Sequence, residues 1–166
     1  MSAAVSPHEL RQAMSRFATG VAVITTSDGH NDHVMTANSL TSVSLDPPMV
    51  LLCIQRTARF HDVVLASGRW AANLLPEHAA AAAGWFATRG RAVEQQLEGI
   101  AHHRGVDGMA LLEGAIATLE CRTRDVHDGG DHSIFVADVL STTAHEEASP
   151  LIYYRGGFRT LADPCL

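Results

Sequence analysis

The segment from Met35 to Pro48, Met-Thr-Ala-Asn-Ser-Leu-Thr-Ser-Val-Ser-Leu-Asp-Pro-Pro, concentrates small and hydroxyl side chains without the charge of a solvated loop. Small side chains let backbone N–H and C=O groups approach a planar ligand, and hydroxyls can bond its heteroatoms or a phosphate. Composition alone favours a plainer reading, an edge strand whose hydroxyls bond their own backbone. Ten histidines raise metal chemistry. H-E-x-x-H is absent and His102-His103 are adjacent, which leaves a set of His61, His127 and His132 open on spacing. Solvated or hydrogen-bonded surface histidines account for most of the ten. No G-x-G-x-x-G follows the first strand, and no P-loop or G-x-S-x-G occurs, so the standard dinucleotide, phosphate and nucleophile-elbow cradles are missing. Cys53, inside an apolar run, reads as a small core residue, as does Cys121.

These residues need a scaffold. Ser6-Pro7-His8-Glu9 is a capping box with proline at the first helical position, and Leu10, Met14 and Phe17 recur on one face before Gly20 stops the helix. Val21–Thr26 is a β-branched strand ended by Ser27-Asp28-Gly29. Pro47-Pro48 delays the next clear strand to Met49–Ile54, whose unbroken apolar run predicts cover on both faces. Phe60–Ala66 predicts a short helix closed by Ser67-Gly68, Trp70–Leu75 a buried strand, and Glu77–Thr88 a helix. Val93–Leu97 is too short to assign. Ala110–Arg124 predicts one long strand and Ser133–Thr142 its return across the turn Asp128-Gly129-Gly130-Asp131. Leu151–Tyr154 and Phe158–Leu161 add two short strands. Hairpin neighbours outnumber β-α-β units, so the expected class is mainly β, an antiparallel barrel with peripheral helices.

Length and composition agree. At 166 residues, 46% hydrophobic and 18% charged, the chain predicts one domain, 1–166, with a core of its own. A net charge of −6 without clustered cations argues against nucleic-acid binding. The polar N-terminus and the lack of a long apolar window predict neither leader nor membrane span. The sparse, odd set Cys53, Cys121 and Cys165 fits a reducing, cytoplasmic setting.

Several segments in order then resemble one family. They are Phe17-Ala18-Thr19-Gly20-Val21, Thr36 through Pro48, Gln55-Arg56-Thr57-Ala58-Arg59, Phe86, Leu119-Glu120-Cys121, Gly130-Asp131-His132 and Pro150–Tyr154. Together they resemble the flavin reductase-like family, the small reductase components of two-component flavin-dependent monooxygenases. The resemblance implies a Greek-key, FMN-binding split β-barrel that forms a homodimer. It also implies NAD(P)H:flavin oxidoreductase activity on FAD or FMN, with a lean to FAD and NADH, and reduced flavin released to a separate oxygenase.

Residue by residue, the resemblance implies that Thr36, Ala37, Asn38 and Ser39 face the polar edge of the flavin ring. Ser42, Val43 and Ser44 would continue that wall, and Cys53, Ile54 and Gln55 would line the next strand. Thr57, Ala58 and Arg59 would hold phosphate, a task suited to hydroxyl, backbone N–H and guanidinium groups. His132 would lie near the nicotinamide and flavin as the catalytic side chain, or stand as a hairpin histidine with a local bond. Phe86 and Tyr154 would contribute less directly, and no metal is implied. The family usually carries glycine before the Met-Thr pair. Here it is Val34, which does not readily adopt a positive φ, so the turn entering the signature should differ. A non-catalytic flavin carrier on the same barrel is the alternative function.

Overall fold

The computed structural model describes residues 4–145 and 148–161, so Cys165 lies outside the described residues. The capping box forms as predicted. The Ser6 hydroxyl oxygen accepts from Glu9 N–H (3.2 Å), the Glu9 carboxylate accepts from Ser6 N–H (2.8 Å), and helix α1 runs Pro7–Met14. Its apolar residues do not reach the core: Leu10 and Met14 are 57% and 55% exposed, and Phe17, beyond the helix, is 66% exposed.

The chain continues through β1 (Thr19–Gly20), β2 (Ala22–Ser27), β3 (Asp32–Ala37), β4 (Thr41–Leu45) and β5 (Pro48–Gln55) into α2 (Arg59–Ser67). Then come β6 (Arg69–Leu74), a 3-10 turn at Glu77–Ala79 and α3 (Ala80–Ala87). The remaining strands are β7 (His102–Arg104), β8 (Ala110–Leu112), β9 (Ala117–Gly129), β10 (His132–Ala144), β11 (Ile152–Tyr154) and β12 (Gly157–Arg159). Every pairing is antiparallel. Seven strands form one sheet in the order β3-β2-β6-β9-β10-β5-β4, flanked by a β7-β8 pair and a β1-β11-β12 sheet.

The large sheet keeps two edges, β3 and β4, and curls until its ends share a core. Ala37 of β3 and Leu52 of β5 belong to one apolar cluster with Ile24, Trp70, Cys121 and Phe135, which Phe60 and Val64 of α2 join. The Ser39 hydroxyl, just past β3, donates to the Cys53 carbonyl of β5 (2.8 Å) and ties the two ends directly. On the other face of β2 and β3, α3 packs Ala83 and Phe86 against Val21, Val23 and Val34. Side chains alternate along a strand, so β2 supplies Ala22 and Ile24 to the first cluster and Val23 to the second.

Four sequence expectations change. The strand covered on both faces is β2; β5 buries Val50, Leu52 and Ile54 but leaves Leu51, Cys53 and Gln55 partly open. The predicted strand Ala110–Arg124 is two strands, because Gly114 turns the chain with φ +79° between β8 and β9. Asn73, buried in β6, accepts from Leu112 N–H (2.8 Å) and fixes that break. The signature from Met35 to Ser44 is likewise divided between β3 and β4. Val34 sits inside β3 with its side chain buried, so no turn forms there; the turn entering β3 is Asp28–Asn31.

Burial pushes the Cys121 thiol up to about 12, with the neighbouring Glu120 carboxylate adding to the shift. A folded-state pKa above the unfolded one means that stability is fully present below about pH 8.5 and declines as pH rises towards the folded value. Chemical denaturation between pH 8.5 and 11 should therefore show stability falling by on the order of 1 kcal/mol per pH unit. Cys121→Ala should flatten that limb; an equal slope in the variant would assign the loss to other groups.

Candidate functional site

A groove of about 520 Å³ opens where the two ends of the curled sheet face each other. One wall is β3 with Asn38 and Ser39; the other is β5 through Cys53 and Gln55, with His132 at the start of β10. The first residues of α2 and the segment Phe86–Arg91 after α3 close the remaining sides. No residue that lines the groove carries a carboxylate.

Most of the residues singled out in the sequence meet here: Thr36, Ala37, Asn38, Ser39, Cys53, Gln55, Thr57, Ala58, Arg59, Phe86 and His132. Five do not. Ser42, Val43 and Ser44 lie on β4, whose residues face outward at the edge, and Ile54 points into the core with no exposed surface. Tyr154 lies on β11, away from the groove, with the Arg155 guanidinium over its ring. The alternation of the β strand separates Ile54 from its neighbours Cys53 and Gln55.

Two of the expected ligand hydroxyls are already committed. The Thr36 hydroxyl donates to the Ala83 carbonyl (2.6 Å), docking α3 onto β3, and that of Ser39 donates to Cys53. Asn38 is exposed, and its amide makes no hydrogen bond among the described residues. Burial raises the pKa of the Cys53 thiol, which keeps that wall neutral. Phe86 is 2% exposed with the Arg91 guanidinium 5.3 Å from its ring centroid, so it supports the groove from behind.

His132 is held at its backbone and at its ring. Its main chain pairs with Gln55 across the ladder, and its carbonyl accepts from Arg56 Nε–H (3.2 Å). Arg56 N–H donates to the Asp131 carbonyl (3.0 Å), and the turn before it places Gly130 at φ +76°. The Asp131 carboxylate lies 2.7 Å from His132 Nδ1, and that bond lowers the Asp131 pKa. The pairing favours a proton on Nδ1 and leaves Nε2 as the other ring nitrogen. At the far end of β3, His33 is buried and bonded to Asp28 (2.9 Å). The Asn31 N–H, the His33 ring and the His30 N–H all reach Asp28 and hold its carboxyl well below the usual range.

The sequence reading missed Arg89, Arg91, Gln96 and His33. All twelve cations of the chain are arginine, and Arg59, Arg89 and Arg91 converge on the groove. Arg89 donates to Gln55 on the opposite wall (2.8 Å), and Arg59 donates to the Arg91 carbonyl (3.0 Å). Arg91 donates to the carbonyls of Val34 (2.7 Å), Phe86 (3.1 Å) and Thr88 (3.1 Å). Val34 N–H donates to Gln96 (3.0 Å), so Arg91 and Gln96 take the place of a neighbouring strand along the open edge of β3. Burial and the nearby Arg59 charge both lower the Arg91 pKa, though a guanidinium stays charged at any physiological pH. The visible signal was Thr88-Arg89-Gly90-Arg91, a basic turn after a helix. His61 is engaged elsewhere, between Asp62 (2.9 Å) and Ser133 (3.0 Å), and among the described residues no group of three or more metal-ligand side chains assembles.

The model of the flavin reductase like domain matches residues 14–162. The chain belongs to the flavin reductase-like family. A relative 38% identical over 162 residues, covering 95% of this chain and 86% of its own, is the NADH-dependent FMN reductase AsuE2 of Streptomyces nodosus subsp. asukaensis. Another, 36% identical over 93% of this chain and 96% of its own, is the reductase component of 4-hydroxyphenylacetate 3-monooxygenase from Thermus thermophilus. Among solved structures, the NADH:FAD oxidoreductase SgcE6 of Streptomyces globisporus C-1027 in complex with NAD and FAD fragments aligns with a TM-score of 0.90. It is 34% identical and covers 99% of this chain and 100% of the other. The matched segment of this flavin reductase-like domain contains every residue that lines the groove. Its donors include three guanidiniums, the Asn38 amide and the His132 imidazole, and beside apolar Met35, Ala37 and Ala58 they fit a planar heteroaromatic ring that carries phosphate. Among the described residues, no helix is long and apolar enough to cross a membrane.

Proposed function

We propose that the protein is an NADH-dependent flavin reductase that takes FAD or FMN as a substrate and releases the reduced flavin to a flavin-dependent monooxygenase. The observation that carries this reading is the groove itself: three arginines and no carboxylate, on a scaffold shared with NADH-dependent flavin reductases. In a chain of net charge −6, that local positive field concentrates phosphate-bearing ligands.

Hydride moves from the nicotinamide to the flavin, giving NAD⁺ and the two-electron-reduced ring, and this needs two stacked rings and no obligatory protein acid or base. The protein's part is positioning. Asn38 and the backbone of Ala37 and Ser39 meet the polar edge of the ring, and Thr57, Ala58 and Arg59 hold the phosphate, joined by Arg89. His132, oriented by Asp131, places a polar ring nitrogen beside the reacting pair and orients the nicotinamide. We assign the curled sheet to a split barrel and the working form to a homodimer, a reading supported by the exposed apolar residues Leu10, Met14 and Phe17. Free thiols at Cys53 and Cys121 support a cytoplasmic setting.

The test is NADH consumption in air without flavin, then with FAD or FMN. Oxidation that saturates with added flavin is the expected result. Equal rates with and without added flavin would mean a retained cofactor, and no oxidation with either flavin or either nicotinamide nucleotide would favour the carrier. A second measurement isolates the phosphate. Arg59→Ala should raise the KM for FMN by roughly tenfold, one charge-assisted phosphate contact, and leave that for riboflavin nearly constant. An equal rise for both would remove Arg59 from phosphate binding.

A further inference from the structure

Three side chains that the reaction does not use form a hydrogen-bonded chain beside the groove. His61 Nδ1 lies 2.9 Å from the Asp62 carboxylate, and Nε2 lies 3.0 Å from the Ser133 hydroxyl. A carboxylate only accepts, so the neutral ring carries its proton on Nδ1. Its Nε2 lone pair then accepts from the Ser133 O–H. Serine, histidine and aspartate in this order resemble a hydrolytic triad. Ser133 is buried, however, and does not line the groove, so its hydroxyl meets no substrate carbonyl.

What the chain joins gives it a different role. His61 lies in the first turn of α2, two residues after Arg59, and its N–H donates to the Ala58 carbonyl (2.9 Å). Ala58, Arg59 and Phe60 all line the groove. Ser133 follows His132 in β10, which is fixed on both sides by its ladders to β5 and β9. Among the described residues, His61 to Ser133 is the one hydrogen bond between α2 and β10. The other buried side chains of α2, Phe60 and Val64, join the apolar core, and such contacts are non-directional. A buried hydrogen bond is directional, and shifting the helix would leave both of its groups unsatisfied. The Phe135 ring stands edge-on to His61, with centroids 5.6 Å apart, and packs the imidazole in place.

We propose that His61 is a positioning residue for the flavin phosphate: its bond to Ser133 seats the first turn of α2 against β10 and so sets where Arg59 stands. The inference rests on the reductase reading above and deepens its phosphate site at Thr57 to Arg59. Two neighbouring strands hold β10, so loss of the bond displaces the start of the helix and leaves His132 where it is.

Ser133→Ala and His61→Gln are compared with the wild type on FMN and on riboflavin, the same ring without phosphate. The first variant removes the donor, and the second keeps an acceptor near the Ser133 hydroxyl. Ser133→Ala should raise the KM for FMN about fivefold, with the riboflavin KM and both kcat values changed less than about twofold. His61→Gln should recover most of the FMN affinity. In an Arg59→Ala background, Ser133→Ala should add nothing further, because both act on one contact. A role confined to stability would lower the apparent kcat for both flavins alike at a constant FMN-to-riboflavin KM ratio, and that result overturns the proposal. So does a wild-type ratio in a fully folded variant. Should Ser133→Ala fail to fold, His61→Phe keeps a ring against Phe135 and removes the same bond from the other side. Quenching of flavin fluorescence reads FMN and riboflavin binding without NADH. A wild type that does not oxidise NADH but prefers FMN, with the preference lost in Ser133→Ala, would remove the reductase reading and keep the positioning role. Equal affinity of the wild type for the two flavins would overturn that role.

Discussion

Arg91→Ala should destabilise the protein by about 3 kcal/mol and raise the KM for flavin at least about tenfold. The size of the effect follows from what the guanidinium holds. Its three carbonyl partners come from β3, from the end of α3 and from the turn that follows, and two of them, those of Val34 and Phe86, belong to buried residues. Alanine leaves those carbonyls without a donor at an open sheet edge and releases the turn that carries Arg89. Lysine should recover little, because one ammonium cannot span carbonyls arranged for a planar fork. Urea unfolding and flavin-dependent NADH oxidation measure the two effects. A variant with normal stability and a higher flavin KM would make Arg91 a direct ligand, and one with normal values for both would remove it from the account.

His132→Ala should lower kcat/KM for NADH on the order of tenfold to a hundredfold, with a flavin KM changed far less. The side chain is half exposed at the groove mouth, which keeps the effect below that of a buried catalytic donor. Its backbone is fixed by the ladder to Gln55 and by Arg56, so alanine should preserve the fold. Asp131→Asn offers a control: an amide oxygen can still accept from Nδ1–H, whereas Asp131→Ala cannot orient the ring. Rate loss in the alanine variant with recovery in asparagine would identify orientation as the role of Asp131. Wild-type kinetics in His132→Ala would place the histidine outside the reaction.

Much of this site was legible in the sequence because its parts are local. The stretch from Thr36 to Ser39 and the run from Gln55 to Arg59 each bring several groove residues through a few consecutive positions. The capping box at Ser6, the turn at Gly130 and the strands on either side follow from residue chemistry within a few positions. Placement within the strands separates the other residues from the groove wall. Ile54 stands between Cys53 and Gln55 in sequence, but neighbours in a strand face opposite ways, and which face is core depends on what packs there. Ser42 to Ser44 continued the signature in sequence, yet Asn38–Leu40 divides it between two strands, and β4 turns away from the groove.

Residue chemistry and order determined the antiparallel class, the family and most of the residues that line one wall. Tertiary structure alone decided the electrostatics. Arg59 and Arg91 stand 32 positions apart in the chain, and they meet only because α2 and the segment after α3 close over the same open edge of the curled sheet. The bond between His61 and Ser133, 72 positions apart, likewise depends on how α2 packs against the curled sheet. Local propensity acts over a few residues, whereas a field or a cavity is set by which distant elements pack together, and burial of their apolar faces decides that.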